Sequence, residues 1–184
     1  MSEYSKTITL TRKSGETATF VIRQCTEDDL DVILALQLAV FEQLCDRSVY
    51  ALVGKEEIHE SLLMDYCFGT YHNDELVAFT MMIANRIGHR NYGTYVGYPE
   101  ELQAKCVSME ITLVDDRFRG YGLQKQFVKL REDIARSLGA AEALVTIAPG
   151  NDFSLANLIN SGYEIIETKP LYEGAVRHIL RKQL

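Results

Sequence analysis

Apolar and polar positions alternate along "TITLTR" (7–12) and "TATFVIRQC" (17–25), the period of a strand with one buried face. "KSGE" between them is a glycine-containing turn, so the chain opens on a strand pair. The period then lengthens. Thr26 stands as a helix N-cap with Asp29 at the third position, and Glu27 and Asp28 suit the positive helix end. The following helix is predicted to carry Leu30, Ile33, Leu34, Leu38, Phe41 and Leu44 on a broad apolar face. "KEEIHESLLMD" predicts a second, short helix, and "YCFGTYHNDELVAFTMMIANR" two strands around a His-Asn-Asp turn. Residues 86–105 break the pattern with three glycines, a proline and three tyrosines; a loop of this length in a compact domain is usually functional or disordered, and the aromatic content favours functional. "CVSMEITLV" reads as the next strand. In "LQKQFVKLREDIARSLG", Leu123, Phe127, Leu130, Ile134 and Leu138 share one helical face, closed by Gly139. "EALVTIA" is a strand, "NDFSLANLINSG" a helix ending at Gly162, and "YEIIETK" and "AVRHILRKQL" the last two strands. The sequence is mixed α/β with short connections, without repeats or interior linkers, and reads as one domain over 1–184.

Composition changes this picture little. A chain of 184 residues, 47% hydrophobic and 24% charged, buries a good core without staples. The longest apolar run, "LDVILALQLAVFEQL", is broken by Gln37 and Glu42 and is too short and polar to span a bilayer. The start of the chain has no signal-peptide core. Cys25, Cys45, Cys67 and Cys106 are scattered, with no metal spacing, and read as reduced, mostly buried thiols of a cytoplasmic protein. The four histidines show no nucleophile or metal pairing and read mostly as surface residues, although His89 and Arg90 in the long loop are placed to touch a substrate. A net charge of −7 with no basic run argues against nucleic acid.

The chemistry concentrates in "VDDRFRGYGLQKQF" (114–127). A strand that turns on glycines into a helix is an anion site in physical terms. The first helical turn leaves amides unpaired at the positive end of the dipole, and glycine lets a phosphate approach bare backbone. Arg117, Arg119 and Lys125 add positive charge. A plain strand-to-helix turn remains the alternative. GxxxxGK[ST] is absent, and GxGxxG fails because Lys125 stands where the third glycine belongs.

"MEITLVDDRFRGYGLQKQFVKLREDIARSLG" followed by "ALVTIAPGNDFSLANLINSGYEII" resembles the core of the GNAT superfamily of acyl-CoA-dependent N-acetyltransferases, most strongly over 107–166. The resemblance implies an α/β (α+β) single-domain fold with a central mixed, mostly antiparallel twisted sheet flanked by helices. It implies acetyl-CoA as the acyl donor, no metal, and pairing of two copies as a state this fold supports. It also fixes the register: Val114, Phe118, Arg119, Gly120, Gly122 and Leu123 fall on the family pattern, with Gln124 in place of the usual small residue. Helix periodicity agrees, since Leu123 begins the apolar face and Gly122 then lies at the helix mouth. The implied cofactor contacts are Thr112, Leu113, Val114, Arg119, Gly120, Tyr121, Gly122, Leu123, Gln124 and Asn151, the last otherwise a simple helix-start residue.

The implied reaction is direct attack of an amine on the thioester, which needs a base for the amine and hydrogen-bond donors for the carbonyl and the departing thiolate. Glu110, in an apolar strand and on one face with Thr112 and Val114, is the candidate base; alternatively it faces solvent or pairs with an arginine. The position of the family's tyrosine acid is Leu158, which cannot donate a proton. Tyr172, and less so Tyr121, can replace it, although Tyr172 also fits an exposed hairpin tyrosine. Tyr163 reads as core. The expected acceptor is a small-molecule primary amine, walled by 86–105 and the final hairpin. A protein N-terminus or lysine, and a non-catalytic acyl-CoA-binding regulatory domain, are the alternatives.

Overall fold

The computed structural model describes residues 4–184, so the first three residues of the expected 1–184 span, and of the N-terminal reading, lie outside the described residues. Eight strands, β1 (Ser5–Thr11), β2 (Thr17–Gln24), β3 (Tyr66–His72), β4 (Glu75–Ile83), β5 (Cys106–Val114), β6 (Glu142–Ile147), β7 (Glu164–Leu171) and β8 (Ala175–Gln183), form one sheet in the order β1-β2-β3-β4-β5-β6-β8-β7. The helices are α1 (Leu30–Glu42), α2 (Lys55–Met64), α3 (Glu100–Gln103), α4 (Leu123–Ser137) and α5 (Asp152–Asn160). β1 with β2, β2 with β3, β6 with β8 and β7 with β8 run antiparallel, whereas β5 and β6 are parallel. The mixed, mostly antiparallel sheet with flanking helices is the fold class expected from the sequence. The chain divides into two compact units, and β4, β5 and α4 each belong partly to both.

In the unit formed by residues 4–45, Leu52–Met81 and Ile111–Phe127, the alternating pattern of β2 sends Phe20 and Ile22 inward, where Ile33, Ile58, Phe68 and Phe79 are also buried. One buried carboxylate fastens the polar side. Asp29 takes both guanidinium nitrogens of Arg23 (2.9 and 2.7 Å), the Tyr71 hydroxyl (2.8 Å) and the Thr26 amide (2.9 Å). Burial alone would raise this carboxyl, but these donors overcome it and hold its pKa at about 2. The sequence reading of Thr26 and Asp29 as the start of a helix is therefore right, with a 3-10 turn over Glu27–Asp29 leading into α1. The apolar face of α1 is corrected. Its buried residues are Ile33, Leu36, Gln37 and Val40, while Leu38 is exposed. Apolar residues surround this helix on nearly every side, so periodicity does not single out the stripe. Gln37 is decisive instead, because it exchanges two hydrogen bonds with the Val53 backbone (3.0 and 3.1 Å) and satisfies its buried amide.

The unit formed by Asp46–Ala51, Met82–Glu110 and Val128–Leu184 is organised around the irregular segment before β5. Tyr92, Cys106 and Leu144 are buried together, with Tyr95, Val96, Tyr98 and Ile166 packed against them. Asn91 fixes the segment by donating to the Arg86 and Gln103 carbonyls (2.6 and 2.9 Å) and accepting from the Gly93 amide (2.8 Å). The expectation of a long loop thus becomes a 3-10 turn (Tyr92–Val96) and α3, ordered by side-chain bonds that leave no periodic trace. Leu123, Phe127 and Leu130 are buried as predicted, but Leu138 lies beyond α4 and is exposed. Arg131 and Glu132 are buried in its place. Glu132 is satisfied by Lys182 (2.7 and 2.8 Å) and Arg136 (3.2 Å).

Candidate functional site

The glycine loop lies where the sequence places it, and Gly122 stands at the mouth of α4, its carbonyl accepting the first helical bond from the Gln126 amide (3.1 Å). The amides of Leu123, Gln124 and Lys125 therefore precede any carbonyl one turn back and point out of the helix end. Gly120 and Gly122 have φ of +87° and +79°, values that L side chains rarely adopt. A Cβ on Gly122 would meet no atom within 4 Å, so packing does not demand the glycine there; the backbone conformation and open space above it do. Those features fit a phosphate group. Arg117 is consumed by structure: it bonds Asp115 (2.9 and 3.0 Å), pairs with Glu75, and gives its carbonyl to Arg12. Arg117 in turn holds the Asp115 carboxyl below its usual range, against the opposing effect of burial. Arg119 is half exposed and paired with Asp116. Tyr121 is buried against Phe20 (centroids 5.2 Å apart), with the Arg12 guanidinium 4.3 Å over its ring. Its ring is held by packing and its hydroxyl by a hydrogen bond to Glu16, which corrects its reading as a proton donor and leaves its backbone to the loop. Leu113 and Leu123 are likewise buried, so any contact they make is through backbone. The Thr112 hydroxyl meets that of Thr80 at 3.1 Å, and Val114 and Gln124 are half-buried.

The other unit holds a second concentration of polar groups. Glu110 faces Arg90 across a buried ion pair (3.9 Å), with the two side chains 9% and 4% exposed. Of the alternatives open for Glu110, the arginine-paired one is the geometry seen. Arg90 is also corrected: it is buried behind the segment, with φ +64° and its carbonyl accepting from the Ser108 hydroxyl (3.1 Å), rather than displayed on a loop. The charge of Glu110 reaches groups that sequence separates widely: Tyr50, Tyr92, Tyr172 and Arg131. Burial, and then Glu110, push the Tyr92 phenol well above its usual range. Tyr172 is 37% exposed, the exposed hairpin tyrosine that the sequence allowed; its phenol is raised by the desolvation of its inner side, opposed by its hydrogen bonds to Thr146 and Tyr92, with a smaller push from Glu110. Arg131, from α4, is pulled down to about 10 by burial, with Tyr163, Tyr92, Glu132 and Glu110 opposing that fall.

Tyr172 is positioned by an unusual turn. Tyr172 and Glu173 both take positive φ (+42° and +61°) in the link between β7 and β8, a strain of about 1–3 kcal/mol per residue that surrounding contacts must hold. Those contacts are the Thr146 hydroxyl at 2.8 Å from the Tyr172 oxygen, and the Tyr95 ring edge-on at 6.1 Å. Tyr95 in turn stacks on Tyr92 (5.3 Å). The parallel ladder of β5 and β6 pairs Cys106–Ser108 with Glu142–Leu144, and Glu110 and Thr146 lie beyond its last pair among the described residues.

The structure thus relates Glu110 and Tyr172 electrostatically, and it groups Arg119 to Gln124 around the mouth of α4. Asn151 is the N-cap of α5, where its side-chain oxygen accepts from the Ser154 amide (3.3 Å); the helix-start role is filled. Tyr163 is core, as read, and Leu158 is buried in α5. Tyr92 and Arg131 are the residues that sequence reasoning missed. The signal for Arg131 is an arginine at a helix position between Phe127 and Ala135, one turn from each. Among the described residues, no group of three or more His, Cys, Asp or Glu side chains could hold a metal ion, and no helix is long and apolar enough to cross a membrane.

No family model matches the sequence, and no curated protein matches it. Solved structures do. A GNAT-family acetyltransferase of Streptococcus pneumoniae superposes with a TM-score of 0.68 at 12% identity, over 90% of this chain and 99% of that one. The ribosomal-protein-alanine N-acetyltransferase of Brucella melitensis gives 0.67 at 20% identity, over 89% and 99%. The PaiA N-acetyltransferase of Thermoplasma acidophilum, in complex with coenzyme A, gives 0.66 at 12% identity, over 90% and 99%. Near-complete coverage in both directions, together with the sheet order and the glycine turn into α4, shows that this chain has the fold of the GNAT superfamily.

Proposed function

We propose that this chain is an N-acetyltransferase that moves the acetyl group of acetyl-CoA to a primary amine of a small molecule by direct attack in a ternary complex. The observation that carries the reading is the pair of left-handed glycines at the mouth of α4, an anion cradle on a fold shared with acetyltransferases. Arg119, the backbone of Gly120 to Gln124 and the helix dipole would hold the pyrophosphate. The backbone of Thr112, Leu113 and Val114 would hold the pantetheine arm and polarise the thioester carbonyl, and Asn151 would add a contact through its amide nitrogen. The donor supplies an activated acyl carbon. The amine nitrogen bonds to that carbon, the carbon–sulfur bond breaks, and the amine proton passes to Glu110, directly or through a water. The Tyr172 phenol, raised by burial and by Glu110, stays protonated at neutral pH and donates a hydrogen bond to the departing sulfur. A thiol near pKa ~8.5 is a stronger acid than this phenol, so the hydrogen bond stabilises the thiolate without full proton transfer.

A cytoplasmic setting, with its four free cysteines, belongs to the same proposal. The buried Leu158 favours one competing reading, CoA binding without catalysis. Initial rates with acetyl-CoA and a primary amine varied together test the mechanism. Intersecting double-reciprocal lines are expected; parallel lines with an acetylated protein intermediate would refute direct attack.

A further inference from the structure

A cavity of about 210 Å³ lies within the unit that carries Glu110 and Tyr172, lined by Asp46, Ser48, Val49, Ala148–Gly150 and Ala175–Arg177. Its chemistry is uneven. Most of the wall is small and apolar, and one side is the guanidinium-bearing residue Arg177, only 6% exposed. Arg177 donates to the carbonyls of Val176 (2.9 Å) and Ser48 (3.0 Å) and lies 5.7 Å over the Tyr172 ring. A guanidinium has five N–H donors. The others have no acceptor, and no carboxylate lies within ion-pair distance, among the described residues. A buried cation without a counter-ion is costly, and a planar fork of donors suits a planar pair of anionic oxygens. Asp46, also on the lining, is exposed and kept anionic by the amide and hydroxyl of Ser48 (2.9 and 2.7 Å). The cavity therefore offers a fixed cation and a fixed anion that do not neutralise each other.

From this arrangement, and resting on the acetyl-transfer reading, we infer that the acceptor is a small amine carrying an anionic oxygen group, whose carboxylate docks on Arg177. Asp46 draws in the ammonium end before it is deprotonated. The volume, below the ~300 Å³ at which drug-sized sites begin, matches a group of amino-acid size. The contact of Arg177 with the Tyr172 ring sets the anion subsite beside the residue proposed to assist the leaving sulfur.

The test compares matched acceptors at saturating acetyl-CoA: free amino acids against their α-amides, and phosphoethanolamine against ethanolamine. A charge-assisted hydrogen bond predicts a preference for the acid of about tenfold or more in kcat/KM, carried by KM. R177Q should bring the acid-to-amide ratio near one, and R177K should keep part of it. Because R177Q also removes the bond to Ser48, the wild-type ratio stands as a measurement independent of any variant. Preference for phosphoethanolamine over every amino acid would assign the anion as phosphate. Equal rates for acids and amides, or a preference that persists in R177Q, would overturn the inference. Binding separates this from the function itself. N-acetylated amino acids, with CoA present, should raise Tm more than their amides, and R177Q should abolish the difference. That result without turnover of any amine would sink acetyl transfer and keep the subsite; turnover without it would sink the subsite and keep acetyl transfer.

Discussion

Gly122→Ala should weaken coenzyme A binding far more than it weakens the fold, and Gly139→Ala provides the matched control. The two glycines bound the same helix, one at each end, with φ of +79° and +77°. A Cβ at either position meets nothing within 4 Å, so alanine costs only the left-handed backbone term, about 1–2 kcal/mol in both. Equal destabilisation is expected by urea unfolding. Function should divide them. At Gly122 the new methyl stands in the open space above the first-turn amides, where the phosphate must approach. Losing one charge-assisted bond there is worth about 1.5–3 kcal/mol, or about 10- to 100-fold in Kd. At Gly139 no ligand group is involved, and Kd should stay within about twofold. Calorimetric titration of CoA into the three proteins measures this. An undiminished affinity in Gly122→Ala, or the same loss in both variants, would refute the assignment of the loop.

Two further outcomes follow from the buried networks. Glu110→Gln should lower kcat by about 100-fold while CoA affinity is kept, and Tyr172→Phe should lower it less; an unchanged kcat in Tyr172→Phe alone would remove the leaving-group role and leave the base. Asp29 links stability to pH: its folded pKa of about 2 lies below the ordinary ~3.9, so its contribution is present above about pH 4 and is lost as pH falls through 2. About 2 kcal/mol of the stability gap between wild type and Asp29→Asn should vanish between pH 5 and pH 2, and a pH-independent gap in urea unfolding would contradict it.

What the sequence shows and hides follows from the range of the interactions. The glycine turn, the Leu123–Phe127–Leu130 face and the hairpins depend on neighbours a few residues apart, so pattern and spacing reveal them. The motif frame beginning at Arg119 also emerges from local periodicity, and the bonds of Arg117 to Asp115 and Glu75 hold that neighbouring arginine in structure. The α1 face is hidden because its apolar residues leave no polar side to contrast with. Tyr92, Arg90 and Arg131 are hidden for another reason. Their burial is sustained by Glu110, Tyr172 and Ser108 from distant strands and turns, and only the fold brings those partners together. The strained turn at Tyr172 carries no glycine at its first two positions, so nothing in the sequence announces it.

The most direct measurement is thiol release from acetyl-CoA across a panel of primary amines and short peptides, with mass-spectrometric detection of the acetylated product. The expected result is amine-dependent release of CoA matched mole for mole by an N-acetylated small amine. Tight CoA binding with no turnover on any amine or peptide would contradict it and leave a domain that binds the cofactor without using it.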